Sequence, residues 1–166
     1  GAEMCIRDSY YWVTLAVDMS GPSNMAVLIQ KQLNPDVSGV MFTRNPINGD
    51  RRLIISAAYG VGEGVVTGEA GSDHFEIDYE DQASITSLIR PKTQQIVLNS
   101  LSGVEKIPDS RDRVMQSTLS SNELNQLTQI ALVLEEVFAT PQDIEFALDG
   151  EGIKICLLYT SDAADE

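Results

Sequence analysis

Residues 25–50 read MAVLIQKQLNPDVSGVMFTRNPINGD, in which two apolar runs alternate with turn residues. The first run, Met25–Leu33, predicts a strand that ends at the turn formed by Asn34 and Pro35. The second run, Gly39–Thr43, predicts a short strand that ends before another turn. Because the connection between the two runs is short, we expect a hairpin-like block within an antiparallel sheet.

Further strands are predicted along the rest of the chain. The segment PQDIEFAL, Pro141–Leu148, alternates apolar and polar residues and is followed by the turn residues DGEG. Residues 102–118 contain few apolar side chains and are predicted to form a surface loop, and Tyr10–Val17 is predicted to be the end of a helix. The other predicted strands are Leu53–Ala58, His74–Asp78, a hairpin pair within Ser87–Asn99 around Pro91-Lys92, and a last hairpin that joins Ile144–Leu148 to Ile153–Ile155.

One segment has a clear helical pattern. Ser120 followed by Glu123 forms a capping box, in which each side chain satisfies a backbone N–H of the first helical turn. Pro141 marks the end of this helix. Antiparallel strands with one long packed helix predict an α+β fold. The apolar side of the helix, which should pack on the core, consists of Leu124, Leu127, Ala131, Leu134 and Phe138.

The two ends of the chain differ from the sequence between them. Residues 1–9 contain MCIRDS and residues 156–166 read CLLYTSDAADE, and both stretches resemble a translated sequencing-library adapter. We therefore expect residues 10–155 to be natural sequence and an internal part of a longer protein. Both ends are left out of the fold argument.

The chain carries 11 basic and 25 acidic residues, a formal net charge of −14. This acidic balance argues against a nucleic-acid surface, which needs clustered Lys and Arg. Both cysteines, Cys5 and Cys156, lie in the adapter-like ends, so neither a disulfide framework nor a cysteine metal site is expected. No apolar run reaches membrane-spanning length, so we expect a soluble, cytoplasmic protein with no membrane partner.

Two carboxylates lie two residues apart in the predicted strand that follows Pro141. Asp143 and Glu145 should therefore point to one face of the sheet. The alternate residues, Ile144 and Phe146, should point into the core. Two carboxylates on one rigid strand suit Mg²⁺, a hard cation that binds one or two carboxylates together with substrate phosphates. The same spacing is also typical of a solvated strand face, and the residues alone leave both interpretations open.

A glycine-rich loop and the end of the first strand are candidate contacts for a nucleotide. Glu63 lies within the loop Gly60–Gly64, where glycines permit close backbone approach and consecutive N–H groups could face a phosphate or a ribose. The segment Gln30-Lys31-Gln32-Leu33 could hold an adenine edge through its backbone N–H and C=O groups. An ordinary glycine-rich turn and an ordinary strand end are the alternative interpretations.

Together these segments resemble the nucleotide-binding domain of the phosphoenolpyruvate synthase (pyruvate, water dikinase) and pyruvate, phosphate dikinase family. They follow the order of the family and cover nearly all of residues 10–155. The matching segments are MAVLIQKQL at 25–33, SGVMFTRNP with INGD at 38–50, YGVGEGVVTGE at 59–69, LSSNELNQL with ALVLEEVF at 119–138, and PQDIEFALDG at 141–150.

The resemblance implies an ATP-grasp fold, in which a nucleotide is clamped between two α+β lobes and this chain supplies mainly the C-terminal lobe and the hinge. It implies an adenine hinge at Gln30–Leu33 and a place near the ribose and phosphates for Glu63. It also implies magnesium binding by Asp143 and Glu145. It assigns no catalytic residue to this chain, and His74 lies in the wrong context to be a phosphorylated histidine.

In this family the ATP-binding domain phosphorylates a histidine on a separate domain of the same chain, and a third domain makes phosphoenolpyruvate from pyruvate. The resemblance therefore implies an ATP- and Mg²⁺-dependent dikinase as the parent enzyme. Related phosphotransferases that act on rifamycin antibiotics or on glucans are alternatives. A non-catalytic module that binds a partner through the helix at 124–138 is a further alternative.

Two departures from the family bear on activity. The glycine-rich loop follows Tyr59 where relatives often carry Trp, which exchanges one aromatic ring for another. The Leu-Gln-x-Arg-Pro segment, the upstream Gly-Lys loop and a phosphate-contacting arginine of the family have no counterpart in this sequence. Because phosphoryl transfer depends on positioning and charge neutralisation, we expect the chain on its own to be inactive.

Overall fold

The computed structural model describes residues 29–66, 71–81, 84–99 and 103–160. The chain divides into two compact units, Gly1–Gln32 and Leu33–Glu166, and all the helices and strands described below belong to the second. Within the described ranges, no helix is long and apolar enough to cross a membrane.

The described part of the second unit contains eight strands and two helices. They are β1 (Val37–Phe42), β2 (Arg52–Tyr59), α1 (Glu63–Val66), β3 (Asp73–Asp78), β4 (Ile85–Leu88), β5 (Gln94–Asn99), β6 (Gly103–Pro108), α2 (Ser121–Phe138), β7 (Gln142–Asp149) and β8 (Gly152–Thr160). Six strands form an antiparallel sheet in the order β4-β3-β2-β1-β7-β8, and β5 pairs with β6 in a separate two-stranded sheet. The fold is therefore α+β, a mostly antiparallel sheet with one long packed helix, as predicted.

Strand β7 lies beside β1 in the sheet although the two strands are far apart in sequence. β1 pairs with β2 on one side and with β7 on the other. In this register Val40 lies opposite Glu145, and Phe42 lies opposite Asp143. Strand β7, which carries both carboxylates, is therefore held in place by pairing with β1, which lies within residues 25–50.

Helix α2 covers one face of the six-stranded sheet. It contributes Leu124, Leu127 and Ala131 to the core, each at most 5% exposed. Removing this apolar surface from water is the main stabilising effect at the helix–sheet contact. The strand residues of the same core are at most 3% exposed and include Met41, Leu53, Ile55, Phe75, Ile77, Ile144 and Phe146.

The helix begins with the predicted capping box. Ser120 Oγ accepts a hydrogen bond from Glu123 N at 3.3 Å, and Glu123 Oε2 accepts one from Ser120 N at 2.6 Å. The helix ends at Phe138, and Ala139 follows in a left-handed conformation with φ of 56°. Phe138 is 47% exposed and Val137 is 70% exposed. The prediction that Phe138 packs on the core is therefore wrong, because the last turn of the helix extends beyond the edge of the core.

Two predictions between residues 87 and 118 are wrong. Ser87–Asn99 does not form a hairpin, because β4 pairs with β3 and β5 pairs with β6. Pro91 does not mark a hairpin turn, because the next residue, Lys92, is held by Val114 O and by Asp73 instead of by a strand across the turn. Residues 103–108 were predicted as part of a surface loop but form β6. Five of its six residues are exposed, so neither side of the strand is buried and the sequence lacks the apolar alternation that predicts a strand.

Other predicted elements lie near the two ends of the chain. Tyr10–Val17 and residues 25–28 lie outside the described residues. Residues 29–33, the described part of the first predicted strand, form neither helix nor strand. That part of the prediction is wrong, and a hairpin of these residues with β1 is excluded because β1 has β2 and β7 on its two sides. The strands predicted at 39–43, 53–58, 74–78 and in the last hairpin are confirmed, and β8 continues through residues 156–160 of the tail.

Candidate functional site

Asp143 and Glu145 lie on the face of β7 that points away from α2. Ile144 and Phe146, which alternate with them along the strand, are at most 1% exposed in the core. On the face opposite the helix, Glu145 is the cross-strand neighbour of Val40. Both carboxylates therefore share one face of the sheet, as their two-residue spacing predicts.

These two carboxylates are placed unfavourably for carrying two negative charges. Both side chains are half-buried. Burial raises the pKa of Asp143 and of Glu145, and the charge of Asp143 raises the pKa of Glu145 further. Across the part of the chain that the structure describes, no Lys or Arg forms a salt bridge with either one. Two neighbouring carboxylates that repel each other are a suitable donor pair for a divalent cation.

The glycine-rich loop that follows β2 is fixed by backbone contacts. Gly60 has φ of +84°, and a Cβ at this position would lie 2.0 Å from Ile96 O, so only glycine fits. The Gly60 N–H donates to Asp36 O at 2.9 Å, and the Val61 N–H donates to Ile96 O at 2.8 Å. The shape of the loop is therefore set by β5 and by the residue that precedes β1.

Most N–H groups of this loop are used inside the chain. The Gly64 and Val65 N–H groups also donate to carbonyl oxygens of the loop, at 3.2 and 3.0 Å. The expectation that consecutive loop N–H groups face a phosphate is therefore wrong for most of the loop. Among the residues described, the N–H of Gly62 makes no such bond, and the next residue, Glu63, is exposed at the start of α1.

The loop and the carboxylates share a sheet face but lie at different points along β1. Ser38 and Val40 both point to this face, and Ser38 Oγ donates to Gly60 O at 2.6 Å. Glu145, opposite Val40, is about 7 Å along the strand from the level of Ser38. Asp143 is about 13 Å from that level at the same rise per residue. A ligand that contacts the loop and both carboxylates must therefore be elongated.

The predicted adenine hinge falls at the boundary between the two compact units. Gln30, Lys31 and Gln32 are exposed and belong to the first unit. Leu33 is half-buried and begins the second unit. None of the four lies in a helix or a strand, and the hinge stays a prediction.

Comparison with known proteins gives the family of this chain. Residues 7–162 match the family model described as the pyruvate phosphate dikinase AMP/ATP-binding domain. The chain belongs to this family. The family is one of AMP/ATP-binding domains, and the curated relatives of the chain include probable phosphoenolpyruvate synthases and rifampicin phosphotransferases.

Three relatives of the dikinase-family domain illustrate the similarity. A probable phosphoenolpyruvate synthase of Archaeoglobus fulgidus is 30% identical over 132 residues, which are 80% of this chain and 17% of the relative. Rifampicin phosphotransferase of Bacillus cereus is 32% identical over 133 residues, 80% of this chain and 15% of the relative. A probable phosphoenolpyruvate synthase of Methanocaldococcus jannaschii is 31% identical over 126 residues, 75% of this chain and 11% of the relative. The chain thus spans less than a fifth of each.

The residues present in the dikinase-family domain fit a magnesium ion that is bound together with a nucleotide. Mg²⁺ usually takes one or two carboxylates and completes its coordination with phosphate oxygens and water. Asp143 and Glu145 supply two carboxylates that form no salt bridge with any described Lys or Arg. No group of three or more His, Cys, Asp or Glu side chains suited to a metal occurs in the described ranges. This donor set is suited to a shared metal–nucleotide site rather than to a metal held by protein alone.

A separate groove of about 550 Å³ opens beside the start of α2. Its lining includes Tyr59, Arg113 and Glu123 but none of the predicted site residues. The Arg113 guanidinium lies 3.7 Å from the centre of the Tyr59 ring. Sequence reasoning missed Arg113 because this residue belongs to the segment that was predicted to be a surface loop, and its aromatic partner is distant in sequence.

Proposed function

We propose that this chain is part of the ATP-binding domain of a dikinase that transfers phosphate from ATP to a protein histidine, on the route from pyruvate to phosphoenolpyruvate. The observation that carries the proposal is the half-buried pair Asp143 and Glu145, which forms no salt bridge with a described Lys or Arg and lies on the face that also holds the glycine-rich loop. Family membership and similarity to probable phosphoenolpyruvate synthases support it. The phosphorylated histidine would lie on another domain of the same parent chain.

In this proposal Asp143 and Glu145 bind the magnesium ion of Mg–ATP. A bound magnesium ion neutralises charge on the phosphate oxygens and orders their geometry. The protein holds the two carboxylates at a fixed separation, because β7 is paired on both sides in the sheet. Burial and mutual repulsion disfavour the charged carboxylates, so a cation at this position relieves both effects.

The remainder of the nucleotide would extend along β1 from the carboxylates toward the glycine-rich loop. Glu63 would then lie near the ribose and phosphates, and the Gly62 N–H would be the available backbone donor. Gln30–Leu33 would form the adenine hinge. The path from β7 to the loop, which both belong to the second unit, agrees with the elongated shape that a ligand needs to contact both.

A phosphotransferase that acts on rifampicin is the second candidate. The supporting observation is the similarity to rifampicin phosphotransferase of Bacillus cereus, 32% identical over 133 residues. Both candidates would use the same ATP-binding domain, so the acceptor of the phosphate distinguishes them.

The test uses the parent protein with the double substitution Asp143→Asn/Glu145→Gln. Transfer of labelled phosphate from ATP to histidine should fall about a hundredfold or more, because the metal that neutralises transition-state charge loses its ligands. The matched control is Asp149→Asn/Glu151→Gln, which removes two carboxylates from the turn of the same hairpin and should leave transfer unchanged. Full transfer by the first variant would reject the metal assignment, and labelling of rifampicin by the wild type would favour the second candidate.

A further inference from the structure

Two fully buried charged groups of the described chain form an ion pair. Lys92 and Asp73 have side chains that are 0% exposed, and Lys92 Nζ lies 2.6 Å from Asp73 Oδ1. Lys92 Nζ also donates to Arg90 O at 2.8 Å. The Asp73 carboxylate accepts from Arg90 N at 3.0 Å and from Thr118 N at 2.8 Å. Burying charge is costly unless the partners are well placed, so such a pair specifies one arrangement of the segments that it joins.

The ion pair joins three segments that are distant in sequence. Asp73 begins β3 of the six-stranded sheet, Lys92 precedes β5, and Thr118 precedes α2. The Lys92 N–H also donates to Val114 O at 2.9 Å. The two-stranded sheet β5–β6 is therefore attached to the main sheet at Lys92.

Four residues after Lys92, β5 contacts the glycine-rich loop. Gly60 and Ile96 form an isolated parallel bridge, and the Val61 N–H donates to Ile96 O at 2.8 Å. A Cβ on Gly60 would lie only 2.0 Å from Ile96 O, so the two backbones are in close contact. The position of β5 therefore determines the position of the loop.

The residue that precedes the loop, Tyr59, contacts the same cluster. Its ring centre lies 5.9 Å from Lys92 Nζ and 3.7 Å from the Arg113 guanidinium, distances at which cations are attracted to an aromatic ring. Tyr59 is 6% exposed. The loop is thus held before Gly60 by the packed tyrosine and after it by β5.

We propose that Asp73 and Lys92 are positioning residues of the nucleotide site, which hold the glycine-rich loop and Glu63 in place through β5 and Tyr59. The inference rests on the proposed function, because the position of the loop matters for activity only if the loop contacts the nucleotide. Loss of a pair that only stabilised the fold would destabilise every strand alike. Loss of a positioning pair would destabilise the loop more than the centre of the sheet.

Hydrogen–deuterium exchange of the full chain without nucleotide separates these two roles. The test variant is Lys92→Met, which removes the cation and leaves the aspartate. The amides of Gly60 and Val61 should exchange at least tenfold faster than in the wild type, while amides of β1 and β7 change less than twofold. Equal acceleration at all these amides, or unchanged exchange at the loop, would overturn the proposal.

A second variant covers the case in which Lys92→Met does not fold. Asp73→Asn/Lys92→Met replaces the ion pair with neutral groups of similar shape, a change that folded proteins often tolerate. It should fold and still show faster exchange at Gly60 and Val61. A folded double variant with wild-type loop exchange would overturn the proposal, and so would failure of both variants to fold, since the pair would then be a general stabiliser.

Two further variants calibrate the measurement. Gly60→Ala should accelerate loop exchange directly, because its Cβ collides with Ile96 O. Lys154→Met removes a lysine that pairs with the exposed Glu151 and should change nothing at the loop. Because the readout needs no nucleotide, its outcome is independent of the proposed function. Transfer of labelled phosphate by the parent protein tests that function separately, through Asp143→Asn/Glu145→Gln, which should leave loop exchange unchanged.

Discussion

Replacing the two carboxylates of β7 with amides should make the chain more stable at neutral pH when no divalent cation is present. In Asp143→Asn/Glu145→Gln, two ionisable groups become neutral groups of the same shape. Burial raises the pKa of both carboxyls in the folded chain, and the charge of Asp143 raises that of Glu145 further. A carboxyl with a raised pKa binds more protons folded than unfolded, so stability falls as pH rises through its titration range. At neutral pH the folded chain bears the full free-energy cost of the two half-buried charges, and the amides remove that cost.

The size of the gain follows from the strand geometry. Residues two apart in a strand are separated by about 7 Å, and like charges at that distance repel by about 2.4 kcal/mol at an effective dielectric constant of 20. Because both side chains are only half-buried, solvent screening reduces the repulsion to about 1 kcal/mol. With a urea m value of about 1–3 kcal/mol/M, the midpoint of unfolding should rise by about 0.3–1 M.

Urea unfolding followed by circular dichroism, in EDTA and at two pH values, measures this gain. At about pH 3, below the ordinary pKa of Asp and Glu, both carboxyls are mostly protonated in either state, so the difference in stability should largely disappear. The control Asp149→Asn/Glu151→Gln, at the hairpin turn, should stay within about 0.5 kcal/mol of the wild type. A loss of stability in the β7 variant at pH 7, or an equal gain at both pH values, would refute the electrostatic reasoning.

Three further outcomes are expected. Ser120→Ala should lower the free energy of unfolding by about 1 kcal/mol, because the Glu123 N–H loses its capping acceptor. The control Ser121→Ala should change the free energy of unfolding by less than about 0.5 kcal/mol, and equal effects of the two substitutions in urea unfolding would contradict the capping assignment. Phe146→Ala should cost about 3–5 kcal/mol by the same measurement, and a cost below about 1 kcal/mol would show that this face of β7 is not in the core. The chain alone should bind Mg–ATP weakly or not at all by calorimetry, since the cationic segments of the family have no counterpart in it, and tight binding would show that those segments are dispensable.

The features that sequence predicts well depend on residues close together along the chain. The capping box at Ser120 needs only Glu123, three residues later, and the alternation of Asp143, Ile144 and Glu145 determines their faces as soon as the strand forms. For the same reason the last hairpin is predicted correctly. These local signals fix the α+β class and place both candidate metal ligands on one face.

The features that sequence did not predict depend on distant partners. The burial of Lys92 is explained by Asp73, and no pattern around Pro91 shows that a lysine side chain will be enclosed there. The N–H groups of Gly60 and Val61 are used by carbonyl oxygens from other segments, which a glycine-rich motif does not reveal. The pairing of β4 with β3, and of β5 with β6, is likewise decided by contacts between segments rather than by turn residues.

Paramagnetic broadening by Mn²⁺ and ATP tests most directly the claim that one face of the sheet binds a metal–nucleotide complex. Mn²⁺ replaces Mg²⁺ and broadens the amide resonances of the isotope-labelled chain that lie near it, even when binding is weak. The resonances of Asp143 and Glu145 should broaden first and that of Gly62 next, while those of Val133 and Glu151 remain sharp. Broadening that is strongest at Glu151, or that reaches other amides but none in β7, would contradict the metal assignment.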